Sequence, residues 1–212
     1  MNKHIERRKW KESNKLFREL YRIAQRTGNI IMTEHYTIVV GYNPKIMRLL
    51  SAGNVSTVFK DNRSIKRKPR YYIVFGNGIP RDKKYIDVIL WHEYGHIKNG
   101  DLKDPRYNVE LNYHRLHNKP SINNIATLSE INADLVSVEY CGLNHVIRWL
   151  DHTFECVYRD IRQSDTYNDL DRIGVNELYI RILVLLKRCK KVNRRFKLWK
   201  RTTMLKNNGS TI

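Results

Sequence analysis

The fold is decided by one stretch of the sequence, Tyr85-Ile-Asp-Val-Ile-Leu-Trp-His-Glu-Tyr-Gly-His-Ile97, which joins an apolar run to two histidines. Its end matches the pattern HExxH. Because His92 and His96 are four residues apart, both imidazoles leave the same helix face and can bind one Zn²⁺. Glu93 is displaced around the helix, from where it can reach a metal-bound water as general base. The stretch predicts a buried helix with a metal site, and two histidines packed in a helix interface without a metal are the alternative.

A metal centre needs at least one more protein ligand, and the later segment Ser129-Glu-Ile-Asn-Ala-Asp134 offers two carboxylates. Glu130 and Asp134 are four residues apart and therefore share a face of a predicted second helix. Glu130 can supply the third ligand, and Asp134 can accept the second N–H of His92 and fix its tautomer. Ala133 is small enough to let the two helices approach closely. The alternative is a pair of solvated carboxylates.

Rival third ligands lie between the two predicted helices, where Glu110, His114 and His117 occur. The extended pattern HExxHxxGxxH is not met, because Asn99 replaces its glycine and Leu102 its last histidine. We interpret the two intervening histidines as loop residues, although either remains an alternative ligand.

The segment His92-Glu-Tyr-Gly-His-Ile-Lys-Asn-Gly-Asp101, followed by Glu130-Ile-Asn-Ala-Asp134, resembles the gluzincin zinc metallopeptidases. It is most similar to the branch of the CAAX-prenyl endopeptidases, the heat-shock protease HtpX and the small soluble minigluzincins. The resemblance covers residues 70–142, about a third of the chain. It implies a zinc endopeptidase that cleaves a polypeptide substrate, with one Zn²⁺ per chain held by His92, His96 and Glu130, and with Glu93 activating the zinc-bound water.

This chain departs from that branch in three respects. It lacks the membrane helices of the prenyl and heat-shock members, and its basic flanks are not part of the family pattern. The later His-Pro and Arg element near the substrate is not clearly present. Tyr167 stands in the nearest counterpart of that element, and Arg181 is the other candidate. The residue that would assist the metal during catalysis therefore stays unassigned by the sequence.

The remaining segments predict an α+β, zincin-like domain in which a small sheet precedes a mainly helical half. The predicted helices cover residues 3–27, 45–51, 82–99, 121–141, 144–161 and 176–189, and the predicted strands cover residues 36–41, 55–59 and 70–75. Asp82 and Ser121 are the expected N-caps of the two helices that carry the site, and Gly100 the expected C-terminal turn of the first. The strand 70–75 is expected beside the HExxH helix, with an edge open to an extended substrate.

Charge divides the chain into three parts. The net charge is +19: residues 1–27 carry +6, residues 28–59 carry +1, residues 60–84 carry +7, residues 85–178 carry −6 and residues 179–212 carry +11. We therefore predict a basic N-terminal helical extension (1–27), a zinc metallopeptidase domain (28–189) and a basic C-terminal tail (190–212). The basic flanks suggest an acidic protein or nucleic acid as partner, although solvated lysines explain them equally well.

A second function follows from the same charges. The chain can instead be a non-catalytic basic binding module for nucleic acid or an acidic protein, with a metal site that is structural or absent. In the tail, Phe196 and Trp199 alternate with basic residues, as on some surfaces that bind single-stranded nucleic acid. No recognised nucleic-acid motif accompanies them.

The sequence also predicts the compartment. No apolar run reaches the roughly 18–20 residues that cross a bilayer, and the first residues resemble no secretory signal. The 3 cysteines show no metal-binding or disulfide spacing. These features predict a cytoplasmic protein without a membrane span.

Overall fold

The computed structural model describes residues 3–49, 55–61, 68–102, 124–163 and 169–188. In those ranges the chain forms helices and strands in the following order: α1 (Lys3–Thr27), β1 (Ile30–Met32), β2 (Thr37–Tyr42), α2 (Pro44–Leu49), β3 (Ser56–Lys60), β4 (Arg70–Phe75), α3 (Lys83–Asn99), α4 (Ile125–Cys141), α5 (Leu143–Gln163) and α6 (Asp169–Arg188). The predicted α+β class, with a small sheet followed by a mainly helical half, is confirmed.

The four strands form one mixed sheet in the order β1-β2-β4-β3. Strand β4 runs parallel to β2, with Val39 opposite Tyr72, and antiparallel to β3, with Val58 opposite Ile73. Both edges of β4 are therefore occupied, and the expectation that a substrate could pair with an open edge of residues 70–75 is wrong. The edge strand on this side of the sheet is β3 and not β4.

Alternation along β4 separates two apolar layers, because successive side chains of a strand point to opposite faces. Tyr72 and Val74 pack with buried side chains of α1 and α2, including Leu20. Ile73 and Phe75 pack on the other face with side chains of α3. The sheet thus lies between α1 and α2 on one side and α3 on the other.

Helices α3 and α4 cross at a very short distance. A Cβ atom built on Gly95 would lie 2.7 Å from Cα of Ala133 and 2.9 Å from its carbonyl oxygen. Near the same contact, the Ser137 hydroxyl donates a hydrogen bond of 2.9 Å to the Val88 carbonyl. The expectation that Ala133 permits a close approach is confirmed, and the glycine of the HExxH segment is its necessary partner.

An apolar core behind α3 and α4 joins them to α5 and α6. Its fully buried members are distributed over three helices and are Val88, Val146, Leu150, Ile182 and Leu185. This packing places the side chains of α6 against the helices that carry the predicted site.

The ends of α3 agree with the sequence. The Asp82 carboxylate accepts a hydrogen bond of 2.9 Å from the Lys84 backbone N–H, and Gly100 adopts a left-handed conformation with φ of 80°. Helix α4 differs, because its N-cap is Asn124, whose side chain accepts a hydrogen bond of 2.9 Å from Ala126, and not Ser121. Several residues before this helix could cap it, and spacing alone did not choose among them.

Two further differences concern lengths. Helix α6 begins at Asp169, earlier than the predicted residue 176, because its first turns lack the apolar repeat that marks its later part. Strand β1 was not predicted, since three residues are too few for an alternating pattern to show.

Some predictions concern residues outside the described ranges. These residues include most of the irregular connection over 101–120, with Glu110, His114 and His117, as well as Ser121, the candidate Tyr167 and the tail 190–212. Within the ranges that the structure describes, each helix is too short or too polar to span a bilayer.

Candidate metal centre

Helices α3 and α4 bring two imidazoles and one carboxylate to a common point. The Nε2 atoms of His92 and His96 are 3.2 Å apart. Glu130 places Oε2 3.2 Å from Nε2 of His92 and Oε1 3.8 Å from Nε2 of His96. Ligand atoms at 2.0–2.1 Å from a tetrahedral ion are separated by about 3.3 Å, so these distances fit a single metal ion. The three residues form a group that could hold a metal.

Each imidazole is oriented by a carboxylate on its other nitrogen. Nδ1 of His92 lies 2.9 Å from Oδ1 of Asp134, and Nδ1 of His96 lies 2.8 Å from Oδ2 of Asp101. A carboxylate accepts a hydrogen bond, so it favours the tautomer with the proton on Nδ1. Nε2 is then the nitrogen of each imidazole that faces the common point, where it can bind a cation once it carries no proton.

Asp101 was not assigned a role from the sequence, although a local signal was present. The left-handed Gly100 turns the chain back over the last turn of α3, and the Asp101 backbone N–H donates a hydrogen bond of 3.0 Å to the His96 carbonyl. Ser129 then donates a hydrogen bond of 2.6 Å to Oδ2 of Asp101. A glycine that ends the HExxH helix, followed at once by an aspartate, is the pattern that could have indicated this contact.

Arg181 on α6 binds both carboxylates of α4. Its Nε and Nη2 atoms each donate a hydrogen bond of 2.7 Å to Asp134, and Nη1 lies 3.2 Å from Oε2 of Glu130. The side chains of Arg181 and Asp134 are only 11% and 2% exposed. The sequence left this arginine as a candidate near the substrate, whereas the structure places it on the carboxylates that surround the histidines.

The electrostatics of the centre favour positive charge. Burial opposes a charge on His92, but its hydrogen bonds to Asp134 and Glu130 outweigh burial and raise its pKa to about 10. Burial likewise opposes ionisation of Glu130, yet the hydrogen bond from His92 and the charge of Arg181 hold its pKa well below the usual range. The pKa of Asp134 is also lowered against the effect of burial, chiefly by Arg181. These groups stay charged because they compensate one another.

The formal charges of these groups also favour a bound cation. Among the described residues, three carboxylates, those of Asp101, Glu130 and Asp134, contact the two imidazoles, and one guanidinium, that of Arg181, contacts Glu130 and Asp134. The excess of negative charge is of the size that a divalent cation bound between the imidazoles would largely offset.

Glu93 stands apart from the three converging residues. It is only 7% exposed, and its Oε1 accepts a hydrogen bond of 2.7 Å from the hydroxyl of Ser56. Ser56 is the first residue of the edge strand β3, so this contact ties the glutamate of the HExxH segment to the edge of the sheet. No pattern in the sequence indicates it, because it depends on the order of the strands.

The chain was compared with families, curated proteins and solved structures. No family model matches it, and neither a curated protein nor a solved structure does. Function is therefore inferred from the residues of the centre themselves.

Proposed function

We propose that the chain is a zinc-dependent endopeptidase of the gluzincin type, with a zincin-like domain and one Zn²⁺ per chain. The observation that supports this proposal is the convergence of His92, His96 and Glu130 beside a buried glutamate that does not belong to the ligand set. Three protein ligands leave one tetrahedral position for water or substrate, as in catalytic rather than structural zinc sites.

The donor set favours zinc among the common metals. Two imidazole nitrogens with one carboxylate oxygen suit a borderline ion in tetrahedral geometry, whereas calcium and magnesium prefer six or more oxygen ligands. Ligand separations of 3.2 Å and 3.8 Å are consistent with such a geometry. The hydrogen bonds of Asp134 and Asp101 hold the two imidazoles in place, so little reorganisation is needed on binding.

The residues of the chain divide the catalytic work. A bound zinc ion polarises a peptide carbonyl and makes water acidic enough to lose a proton near neutral pH. Glu93 accepts that proton as general base and passes it to the leaving amine. The Ser56 hydroxyl donates a hydrogen bond to Oε1 of Glu93, so in this mechanism the second oxygen of the carboxylate would accept the proton of the water. Arg181 keeps Glu130 and Asp134 ionised, so that both remain acceptors.

An extended polypeptide can lie against β3. This strand is the last one in the sheet order, and no described segment pairs with its outer edge. Backbone hydrogen bonds along an edge strand hold a peptide without reading its sequence. Because Ser56 belongs to β3 and touches Glu93, a peptide bound there would pass directly by the general base.

The test compares Glu93→Gln with the parent protein. Metal analysis is expected to find about one zinc per chain in both proteins, because Glu93 is not a ligand. Cleavage of a mixed peptide library by Glu93→Gln is expected to fall by about 10²- to 10⁴-fold, the usual contribution of a general base. The matched control is Glu139→Gln, since Glu139 is exposed and pairs only with Lys98 among the described contacts.

Two results would contradict the proposal. One is a Glu93→Gln protein that cleaves as fast as the parent. The other is a parent protein that binds zinc at His92, His96 and Glu130 but cleaves no peptide of the library, which would leave the centre a structural one.

A further inference from the structure

The outer face of α1 carries a row of basic side chains that the metal centre does not use. Its members follow one another at intervals of three or four residues, so at about 100° per residue they lie within an arc of about 80°. All six are exposed: Arg8, Lys11, Lys15, Arg18, Arg22 and Arg26. This set, here named the basic row, extends over about 27 Å at 1.5 Å per residue.

The basic row keeps its charge. Among the contacts of the described residues, none joins a member of the row to a carboxylate. Two glutamates border it on α1, but Glu12 lies 3.3 Å from Nζ of Lys45 and is therefore already paired. Glu19 is the other one and offsets only one of six positive charges. Neighbouring members of the row lie within about one Debye length (roughly 8–10 Å) of each other, so together they produce a strongly positive surface.

The opposite face of α1 determines what the row can bind. Leu20 and Ala24 are 2% and 1% exposed and pack on the sheet, so the apolar side of this helix is covered along the part from residue 16 to residue 24. A basic helix binds a bilayer by burying its apolar face in the lipid, which is impossible here without removing α1 from the sheet. The row also lies on the face of the sheet away from α3, so its partner would not cover the metal centre.

The chemistry of the row selects one class of partner. We propose that the basic row binds the phosphate backbone of duplex nucleic acid. Over 27 Å a duplex presents on the order of 16 negative charges, a linear array that six aligned cations complement. The described part of the row includes no aromatic side chain, because Phe17 and Tyr21 pack toward the protein. The row therefore offers no ring on which the bases of a single strand could stack.

A folded acidic protein fits the row less well. Protein interfaces have an apolar core within a polar rim. Among the side chains of α1 that the structure describes, the large apolar one at the margin of the row is Ile23, which is 50% exposed. Because phosphate contacts carry no sequence information, we expect binding to duplex DNA and duplex RNA without a preferred sequence.

Salt dependence is the first measurement. The full chain is titrated against labelled duplexes of about 20 base pairs, one of DNA and one of RNA, at 50 to 200 mM KCl. If the six cations of the row each neutralise one phosphate, affinity is expected to fall about 10³-fold over this range. Affinity that changes less than threefold with salt would overturn the proposal.

A matched pair of double variants separates the row from net charge. Arg18→Gln with Arg22→Gln removes two cations from the centre of the row. Lys84→Gln with Arg148→Gln removes two exposed cations from α3 and α5, so both variants have the same net charge. The first variant is expected to lose only about 10²-fold between 50 and 200 mM KCl and to bind more weakly throughout. The second variant is expected to behave as the parent.

The remaining outcomes decide against the row or against its partner. Equal weakening of both double variants would show that net charge alone attracts the duplex. Stronger binding to poly-glutamate, or to vesicles of phosphatidylserine, than to either duplex would assign the row to another partner and overturn the proposal. A chelator should leave duplex binding unchanged, because the row and the metal centre lie on opposite faces of the sheet. Failure of the peptidase proposal therefore does not affect this result.

Discussion

Arginine has opposite surroundings on the two sides of the sheet. Arg181 is 11% exposed and is held by two carboxylates, whereas Arg22 on the basic row is exposed and has no carboxylate partner among the described residues. Arg181 has exchanged water for fixed partners, and its removal leaves buried negative charge behind. Arg22 remains hydrated and available to bind a partner. Burial and pairing, not residue type, decide whether a cation supports the fold or meets a partner.

The largest effect is expected when Arg181 is replaced. Arg181→Met leaves Glu130 and Asp134 buried without their guanidinium, and breaking such a pair costs about 3–5 kcal/mol of unfolding free energy. Denaturant unfolding of the metal-free protein measures this loss. Excess zinc should restore part of it, because a cation bound beside Glu130 replaces some of the missing positive charge.

The matched variant on the other side of the sheet is Arg22→Met. Since this side chain is exposed, its loss should change the unfolding free energy by less than about 0.5 kcal/mol. If the two variants destabilise the protein equally, the contrast between paired and free arginines is wrong.

The next effect concerns the close crossing of α3 and α4. Gly95→Ala places a methyl group against the backbone of Ala133, which can yield only if the helices separate. We expect a loss of about 1–3 kcal/mol from overpacking. Zinc affinity should also fall by about tenfold or more, because His92 and His96 move relative to Glu130.

Gly41→Ala is the control for this variant on the α1 side. Its methyl group meets the end of the flexible Leu20 side chain, not a backbone. The variant is expected to lose stability but to keep the zinc affinity of the parent. Competition with a chromophoric chelator measures both affinities, and a Gly95→Ala protein with unchanged affinity would show that the crossing does not position the ligands.

The metal centre should respond to pH, unlike the basic row. In the metal-free protein the pKa of His92 is raised to about 10, so below that pH zinc must displace a proton from it. Zinc affinity is therefore expected to rise by about tenfold per unit between pH 6 and 8. The same shift stabilises the metal-free fold fully below the ordinary pKa of about 6.5, and this contribution is lost as pH rises through 10.

Calorimetry in buffers of different ionisation heat counts the released protons. At least one proton per zinc is expected near pH 7, together with an affinity for duplex nucleic acid that varies far less over the same range. An affinity for zinc that does not depend on pH would contradict the prediction that zinc displaces a proton from His92.

The smallest expected effect is at the edge strand. Ser56→Ala removes one hydrogen bond of 2.7 Å to Glu93, which at about 0.5–1.5 kcal/mol corresponds to a fall in kcat of about 3- to 10-fold. KM should change little, because Ser56 acts through Glu93 in this mechanism and not on the substrate. Thr57→Val on the same strand is the control and should leave kcat unchanged.

Local features of the sequence were sufficient for much of the metal centre. The spacing of His92 and His96, the cap at Asp82 and the turn at Gly100 are properties of one helix, so a single segment encodes them. The convergence with Glu130 required a second helix, and its spacing to Asp134 together with the size of Ala133 indicated the approach. The α+β class followed from the order of these segments.

Contacts that depend on topology could not be predicted in the same way. Ser56 reaches Glu93 only because β3 is the edge strand beside β4. The hydrophobic pattern of each strand does not determine this spatial order of the strands. For the same reason the open edge was assigned to the wrong strand. Arg181 lies far along the chain from Asp134, and its role depends on how α6 packs.

The position of Arg181 has a consequence for the synthesis of this protein. His92 and Glu130 leave the ribosome well before α6, so both carboxylates of α4 exist for a time without their guanidinium. The peptidase centre that we propose is completed only when α6 has been made and has docked. A nascent chain would thus carry an incomplete centre, with Glu130 and Asp134 lacking their guanidinium partner, until α6 docks.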